Sequence, residues 1–226
     1  MTWPEGRDRA GAGPPDPPAT PVAELPGVPA AAARALGARY TAEDVGVFTR
    51  AEASRFVPEG DGDPQTDVVL AWELLYRIEP ELYDRLASAE RLHPRVVGWL
   101  PHGVERIVEV GAGTGRLTLE LIGRAREVVA VEPALPLRRI LRRKLEAAGH
   151  GDRARVIGGF FDQLPLPGDS ADLVVACSAF TPSPGHGGEA GLAEMERVCR
   201  PGGCVAIIWP NNLNSVSYTH LTLPTN

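Results

Sequence analysis

Val108-Glu109-Val110-Gly111-Ala112-Gly113-Thr114-Gly115-Arg116-Leu117-Thr118 reads as an apolar strand that runs into a glycine-rich turn and opens a helix. Glycines in such a turn accept positive φ and let backbone N–H groups come close to a ligand, so the turn can cradle part of a nucleotide-like molecule at the carboxyl edge of a sheet. Downstream, Val128-Val129-Ala130-Val131 reads as a second strand and ends at Glu132. That is about 20 residues past the turn, where an acidic side chain accepts hydrogen bonds from ribose hydroxyls. The expected ligand therefore contains a ribose. A dinucleotide fingerprint spaces its glycines as GxGxxG and aims a helix N-terminus at pyrophosphate. Here the order is Gly111-x-Gly113-x-Gly115, with Glu109 two residues before the first glycine. A carboxylate in that place suits a cationic amino-acid tail better than a phosphate.

Outward from the turn, short apolar runs alternate with longer amphipathic ones. The pattern predicts strands at 105–110, 127–132, 154–158, 171–177 and 203–209, with helices near 115–124, 134–148 and 188–199. This rhythm calls for a mostly parallel, doubly wound α/β sheet covered on both faces, because each crossover helix returns the chain over the sheet. Upstream, residues 36–100 read as a helical cap. A weak helical pattern spans 41–56, and a stronger one runs from Thr66 or Asp67 through Val68, Val69, Ala71, Trp72, Leu75 and Tyr76. Pro80 opens a further helix carrying Leu82, Tyr83 and Leu86, and His93-Pro94 another with Val96, Val97, Trp99 and Leu100. Eight of the 22 prolines fall in the first 30 residues, so residues 1–35 are expected to be a disordered extension.

The strand–turn–helix string, with Glu109 to Gly115 reading E-V-G-A-G-T-G, resembles the class I S-adenosylmethionine-dependent methyltransferases, in particular the type 11 group that includes ubiquinone and menaquinone C-methyltransferases. The resemblance continues through Phe161-Asp162-Gln163-Leu164-Pro165-Leu166-Pro167-Gly168-Asp169-Ser170-Ala171-Asp172-Leu173-Val174, similar to that group's F-E-D-L-P-L-P-x-x-S-F-D-L-V segment. It extends to Leu192-Ala193-Glu194-Met195-Glu196-Arg197-Val198-Cys199-Arg200-Pro201-Gly202-Gly203, which looks like its L-x-E-x-x-R-V-L-R-P-G-G helix and turn. Together the matches cover roughly residues 100 to 210 in the right order. The resemblance implies a Rossmann-like core over 101–215 and S-adenosylmethionine as cofactor, with S-adenosylhomocysteine as its product. The cofactor would be held by Glu109, Gly111, Ala112, Gly113, Thr114, Gly115, Glu132, Pro133, Phe161, Asp162 and Ser178. Phe161 and Asp162 would border the adenine. Phe160 stands where the group often has an acid, and Cys177-Ser178-Ala179-Phe180 ends the strand where donor and acceptor pockets meet.

Methyl transfer from a sulfonium is an in-line displacement on an activated donor, so positioning and exclusion of water are the enzyme's main tasks. A hydroxyl or acidic-carbon acceptor would benefit from a general base, and His186, in Pro182-Ser183-Pro184-Gly185-His186-Gly187-Gly188, lies on the expected acceptor side. A solvated loop histidine is the plainer alternative, as helix-start and loop roles are for His93 and His102. Trp72, Tyr76 and Tyr83 suit either a lid over the acceptor or ordinary core. The Arg138-Arg139-Ile140-Leu141-Arg142-Arg143-Lys144 run suits a solvated helix face better than an RNA-binding patch, since Leu137, Ile140, Leu141 and Leu145 form its apolar stripe. Two other functions compete with a methyltransferase acting on a small molecule: a non-catalytic cofactor-binding scaffold, and a nicotinamide-dependent oxidoreductase, which the GxGxG spacing and Glu109 disfavour.

With 226 residues, 43% hydrophobic, 23% charged and a net charge of -6, one soluble domain is expected. The acidic balance argues against nucleic acid as a partner, and no apolar run reaches the length of a membrane span. Cys177, Cys199 and Cys204 contain no CxxC pair, so neither a disulfide framework nor a metal site is expected. Cys177, in an apolar strand, reads as a buried small hydrophobe. A cytoplasmic location fits these features, and the start of the chain lacks the apolar stretch of a secretory signal. The far end breaks the pattern: residues 1–210 contain no asparagine and the last 16 contain four. Val216-Ser217-Tyr218-Thr219-His220-Leu221-Thr222-Leu223-Pro224-Thr225 resembles the translation of a sequencing-library adapter. Residues 216–226 are accordingly expected to be a non-native tail, with the fold's closing antiparallel strand pair missing and the fifth strand left with an open edge.

Overall fold

The computed structural model describes residues 72, 75–77, 79–89, 92, 94–181, 187–211 and 215–222. It divides into two units, residues 1–83 and 84–226. In the first, Trp72 and residues 75–77 are helical and Leu75 is buried. The rings of Trp72, Tyr76 and Tyr83 pack on one another, the tightest pair being Tyr76 and Tyr83, edge to face at 4.7 Å. Helix α1, Pro80–Ala89, opens on the expected proline with Glu81 in its first turn, where negative charge suits the helix dipole. The expected extension over 1–35 and the helices over 41–56 and 66–71 lie outside the described residues.

The second unit is an α/β sheet. After α2 (Pro94–Trp99), the chain runs β1 (Val104–Val110), α3 (Thr118–Leu121), β2 (Ala125–Val131), α4 (Leu135–Ala147) and β3 (Ala154–Ile157). It continues through β4 (Ala171–Cys177), α5 (Gly188–Val198), β5 (Cys199–Asn211) and β6 (Ser215–Thr222). The strand order is β3-β2-β1-β4-β5-β6. All neighbours are parallel except β5 and β6. The chain leaves β1 toward β2 and β3, then crosses back to place β4 on the other side of β1. That reversal opens a crevice at the carboxyl ends of β1 and β4, the usual ligand position in open α/β sheets.

Side chains alternate between the faces with period two, as strands require. Ile107, Val128, Leu173 and Val175 share one cluster with Val96, Leu117 and Leu121. Val108, Val129 and Val174 share another with Met195 and Val198 of α5. Burial on both faces is why β4 reads as the unbroken apolar run Ala171–Cys177 apart from Asp172, and each buried Val or Leu contributes about 1.5–3 kcal/mol. Among the described residues no helix is long and apolar enough to cross a membrane.

Three sequence expectations need correction. The helix expected over 115–124 is only Thr118–Leu121, because the left-handed residues Gly113 and Gly115 keep the preceding segment a turn. Strand β5 begins at Cys199 rather than 203, with a register shift where Ala171 pairs Cys199 and Leu173 pairs Cys204. The open edge expected on β5 is covered: β6 pairs antiparallel with it from Cys204↔Thr222 to Asn211↔Ser215. That strand lies largely within the segment read as a foreign tail, and it satisfies backbone groups that an edge would expose.

Candidate cofactor site

The site is built where β1 ends. Gly111 and Ala112 both donate their backbone N–H to the carbonyl of Val131, at 2.9 and 3.0 Å, which carries the β1–β2 ladder into the turn. The turn then closes with Gly115 N–H on the carbonyl of Ala112. Gly111 has φ 74°, and a Cβ there would stand 2.4 Å from the Cβ of Ala179 and 3.4 Å from the Phe161 ring. Gly115 has φ 93° and meets the Leu141 side chain of α4 in the same way. Both positions therefore require glycine, one to admit the segment after β4 and the other to seat α4.

Glu132 lies one residue past β2 and is 5% exposed. Its Oε2 accepts the backbone N–H of Gly113 at 2.9 Å, and its Oε1 accepts that of Ala134 at 2.8 Å. The backbone beside it is held by Arg138, whose Nη1 donates to the carbonyls of Glu132 and Pro133. A carboxylate has about four lone-pair sites, so two amide bonds leave acceptor capacity for hydroxyls.

Glu109, the last residue but one of β1 before the glycines, is 2% exposed. Its Oε2 accepts the Thr118 hydroxyl at 2.5 Å. Burial pushes its carboxyl from the ordinary 4.5 up to about 8; Thr118 and the Arg116 charge oppose that rise, and the charge of Glu132 adds to it. The cation-facing carboxyl expected from the sequence is thus almost wholly enclosed.

Opposite, the end of β4 is tied to the turn. Arg116 Nη2 donates to Ser178 Oγ at 2.9 Å and lies 3.7 Å from Cys177 Sγ. Ser178 holds a left-handed φ of 57° while its N–H donates to the carbonyl of Ile208. A non-glycine residue there is strained and persists because both its ends are fixed. The Cys177 thiol is pushed up by burial, as a small hydrophobe in an apolar strand should be. Phe161 is buried and meets Phe180 edge to face at 5.5 Å, and Asp162 beside it is exposed.

The structure thus brings the glycine turn, Ala112, buried Thr114, Glu109, Glu132, Pro133, Phe161 and Ser178 to the crevice beside β1. His186 and His93 lie outside the described residues. His102 is exposed before β1, away from this carboxyl edge. Three contributions went unread in the sequence. Thr118 and Arg116 sit inside the quoted motif, but their partners come from other strands or from one turn away. The third is a clamp: Arg197 pairs with Glu194 at 2.6 Å and donates to the carbonyls of Leu164 and Leu166. Glu194 in turn accepts the N–H of Leu164. Its sequence signals are the i,i+3 spacing on α5 and the place of Glu194 and Arg197 in the L-x-E-x-x-R resemblance, neither of which names the 164–166 carbonyls as partners.

The donor set tests which ligand fits. Two buried carboxyl groups flank the turn, and one of them already occupies the N–H of Gly113. A pyrophosphate would meet acid where it needs donors, whereas a ribose with a cationic tail meets acceptors. The basic run on α4 is largely used internally: Arg142 donates to the carbonyl of Val156, Lys144 pairs with Asp84, and Arg138 holds the Glu132 backbone.

The chain is similar to known proteins over part of its length. Residues 107–203 match a family described as a methyltransferase domain. An uncharacterized methyltransferase of Mycobacterium bovis is 33% identical over 119 residues, covering 51% of this chain and 44% of that protein. Another, from Geobacillus sp., is 38% identical over 74 residues, 33% of this chain and 32% of the relative. A solved S-adenosylmethionine-dependent methyltransferase from Aquifex aeolicus is 20% identical with a TM-score of 0.44, over 59% of this chain and 65% of that one. The chain spans between about a third and a half of the length of the curated relatives it matches.

Proposed function

We propose that residues 107–203, which match a methyltransferase-domain family, act as a class I methyltransferase that transfers a methyl group from S-adenosylmethionine to a small-molecule acceptor in the cytoplasm. The observation that carries this is the convergence of two buried carboxyl groups, Glu109 and Glu132, on one glycine turn at the sheet's switch point. When bound, the cofactor supplies a methyl carbon already activated by its sulfonium. The protein's share is placement. Glu132, immobilised by two backbone amides, would accept ribose hydroxyls through its remaining lone pairs. Gly111 would let the ligand approach the backbone, and Phe161, beside it, would offer the adenine an apolar wall. Glu109 would face the amino-acid tail. The strained end of β4 at Ser178, strapped by Arg116, would form the boundary with the acceptor. For a hydroxyl or acidic-carbon acceptor, His186 is the proposed base.

Calorimetric titration of S-adenosylhomocysteine into the protein and its Glu132→Ala variant tests the assignment. Binding should weaken by about 1–3 kcal/mol, the scale of leaving buried polar groups without a partner. Equal affinity in a folded variant would sink the site as drawn.

A further inference from the structure

Among the described residues, the buried carboxyl of Glu109 has one hydrogen bond. Thr118 occupies one carboxyl oxygen, and among the described residues no hydrogen bond reaches the other and no ion pair includes it. Among the described residues, the titratable or charged groups that face it are Arg116 from the turn, Glu132 from the end of β2 and Cys177 from the end of β4. Arg116 directs its Nη2 to Ser178 Oγ rather than to the carboxyl. A carboxyl this deeply buried, with no paired cation among the described residues, is disfavoured in its ionised form and favours the neutral one.

We propose that Glu109 keeps its proton in the ligand-free protein and yields it to solvent when the cationic amino-acid tail of the cofactor settles beside the turn, so that ligand uptake releases one proton. The inference rests on the methyltransferase assignment and adds a linkage to it. The balance is simple: the carboxyl O–H bond breaks, the proton passes to buffer, and the carboxylate left behind pairs with the ligand's ammonium group. No oxidant or reductant takes part. Burial, which pushes this carboxyl up to about 8, favours the protonated form at pH 7. Affinity should therefore rise with pH, by up to about tenfold per unit, and level off near 8, where the ligand's own amine begins to lose its proton.

The experiment is titration of S-adenosylhomocysteine at pH 6.5 in buffers of different ionisation enthalpy. The slope of observed heat against buffer enthalpy counts the protons. The full chain should release close to one and Glu109→Gln close to none. In Thr118→Val, which lacks the hydroxyl that favours the ionised form, release should persist to higher pH than in the unaltered protein. Should Glu109→Gln fail to bind, infrared spectra of the ligand-free proteins decide: the unaltered chain should carry a buried protonated-carboxyl band that the variant lacks. Binding with a zero slope, or no such band, overturns the inference while leaving the methyltransferase assignment intact. A folded chain that binds no S-adenosylhomocysteine overturns both.

Discussion

Gly111 and Glu109 show how much of the site depends on single side chains, one by absence and one by burial. Gly111→Ala would place a Cβ 2.4 Å from that of Ala179 in a left-handed backbone. The conformation alone costs roughly 1–2 kcal/mol, and relief of the clash must move the turn off β4. Thermal melting should show the loss of stability, with weaker S-adenosylhomocysteine binding alongside. For Glu109, the folded carboxyl titrates near 8 against an ordinary 4.5, so its proton is held more tightly when folded. Its stabilisation is complete below about 4.5 and drains away as pH rises toward 8. Ligand-free Glu109→Gln should therefore gain on the unaltered protein progressively from pH 5 to pH 8 in melting scans across that range. A constant difference would mean that Glu109 does not titrate there.

At the scale of elements, helices α4 and α5 hold the two sides of the crevice by different means. Helix α4 does so by packing: Leu141 is fully buried and meets Gly115. Leu141→Ala should cost about 2–5 kcal/mol, read by denaturant unfolding, since it removes apolar contact and leaves a cavity under the turn. Helix α5 does so by hydrogen bonding. The Arg197–Glu194 pair is 41% and 21% exposed, so the ion pair itself contributes little, about 0–1 kcal/mol. Its role is to secure residues 164–166. Arg197→Ala should leave the melting temperature nearly unchanged while speeding hydrogen exchange at Leu164 and Leu166, and unchanged exchange would remove the clamp from the account.

Over the whole molecule, β6 carries the test. The sequence reading expects residues 216–226 to be a foreign tail, yet β6 pairs across eight positions of β5. Deleting residues 212–226 discriminates between the two. If β6 is structural, the bared edge of β5 should drive self-association, visible as a concentration-dependent rise in light scattering, together with a lower melting temperature. If the tail is foreign and idle, neither should change. The sequence by itself determined the parallel α/β class, the positions of β1, β2 and β4, and the glycine turn with its two acids. Those features are local: strand periodicity, glycine spacing and an acid at a strand end are written in adjacent residues. Only the tertiary structure decided that β4 lies beside β1, that Arg116 straps Ser178 and that α5 pins the 164–166 segment, because these join residues from 30 to 66 positions apart. It also decided the state of Glu109. A carboxyl's charge depends on how much water and which charges surround it, and that environment exists only once the sheet has closed around the turn.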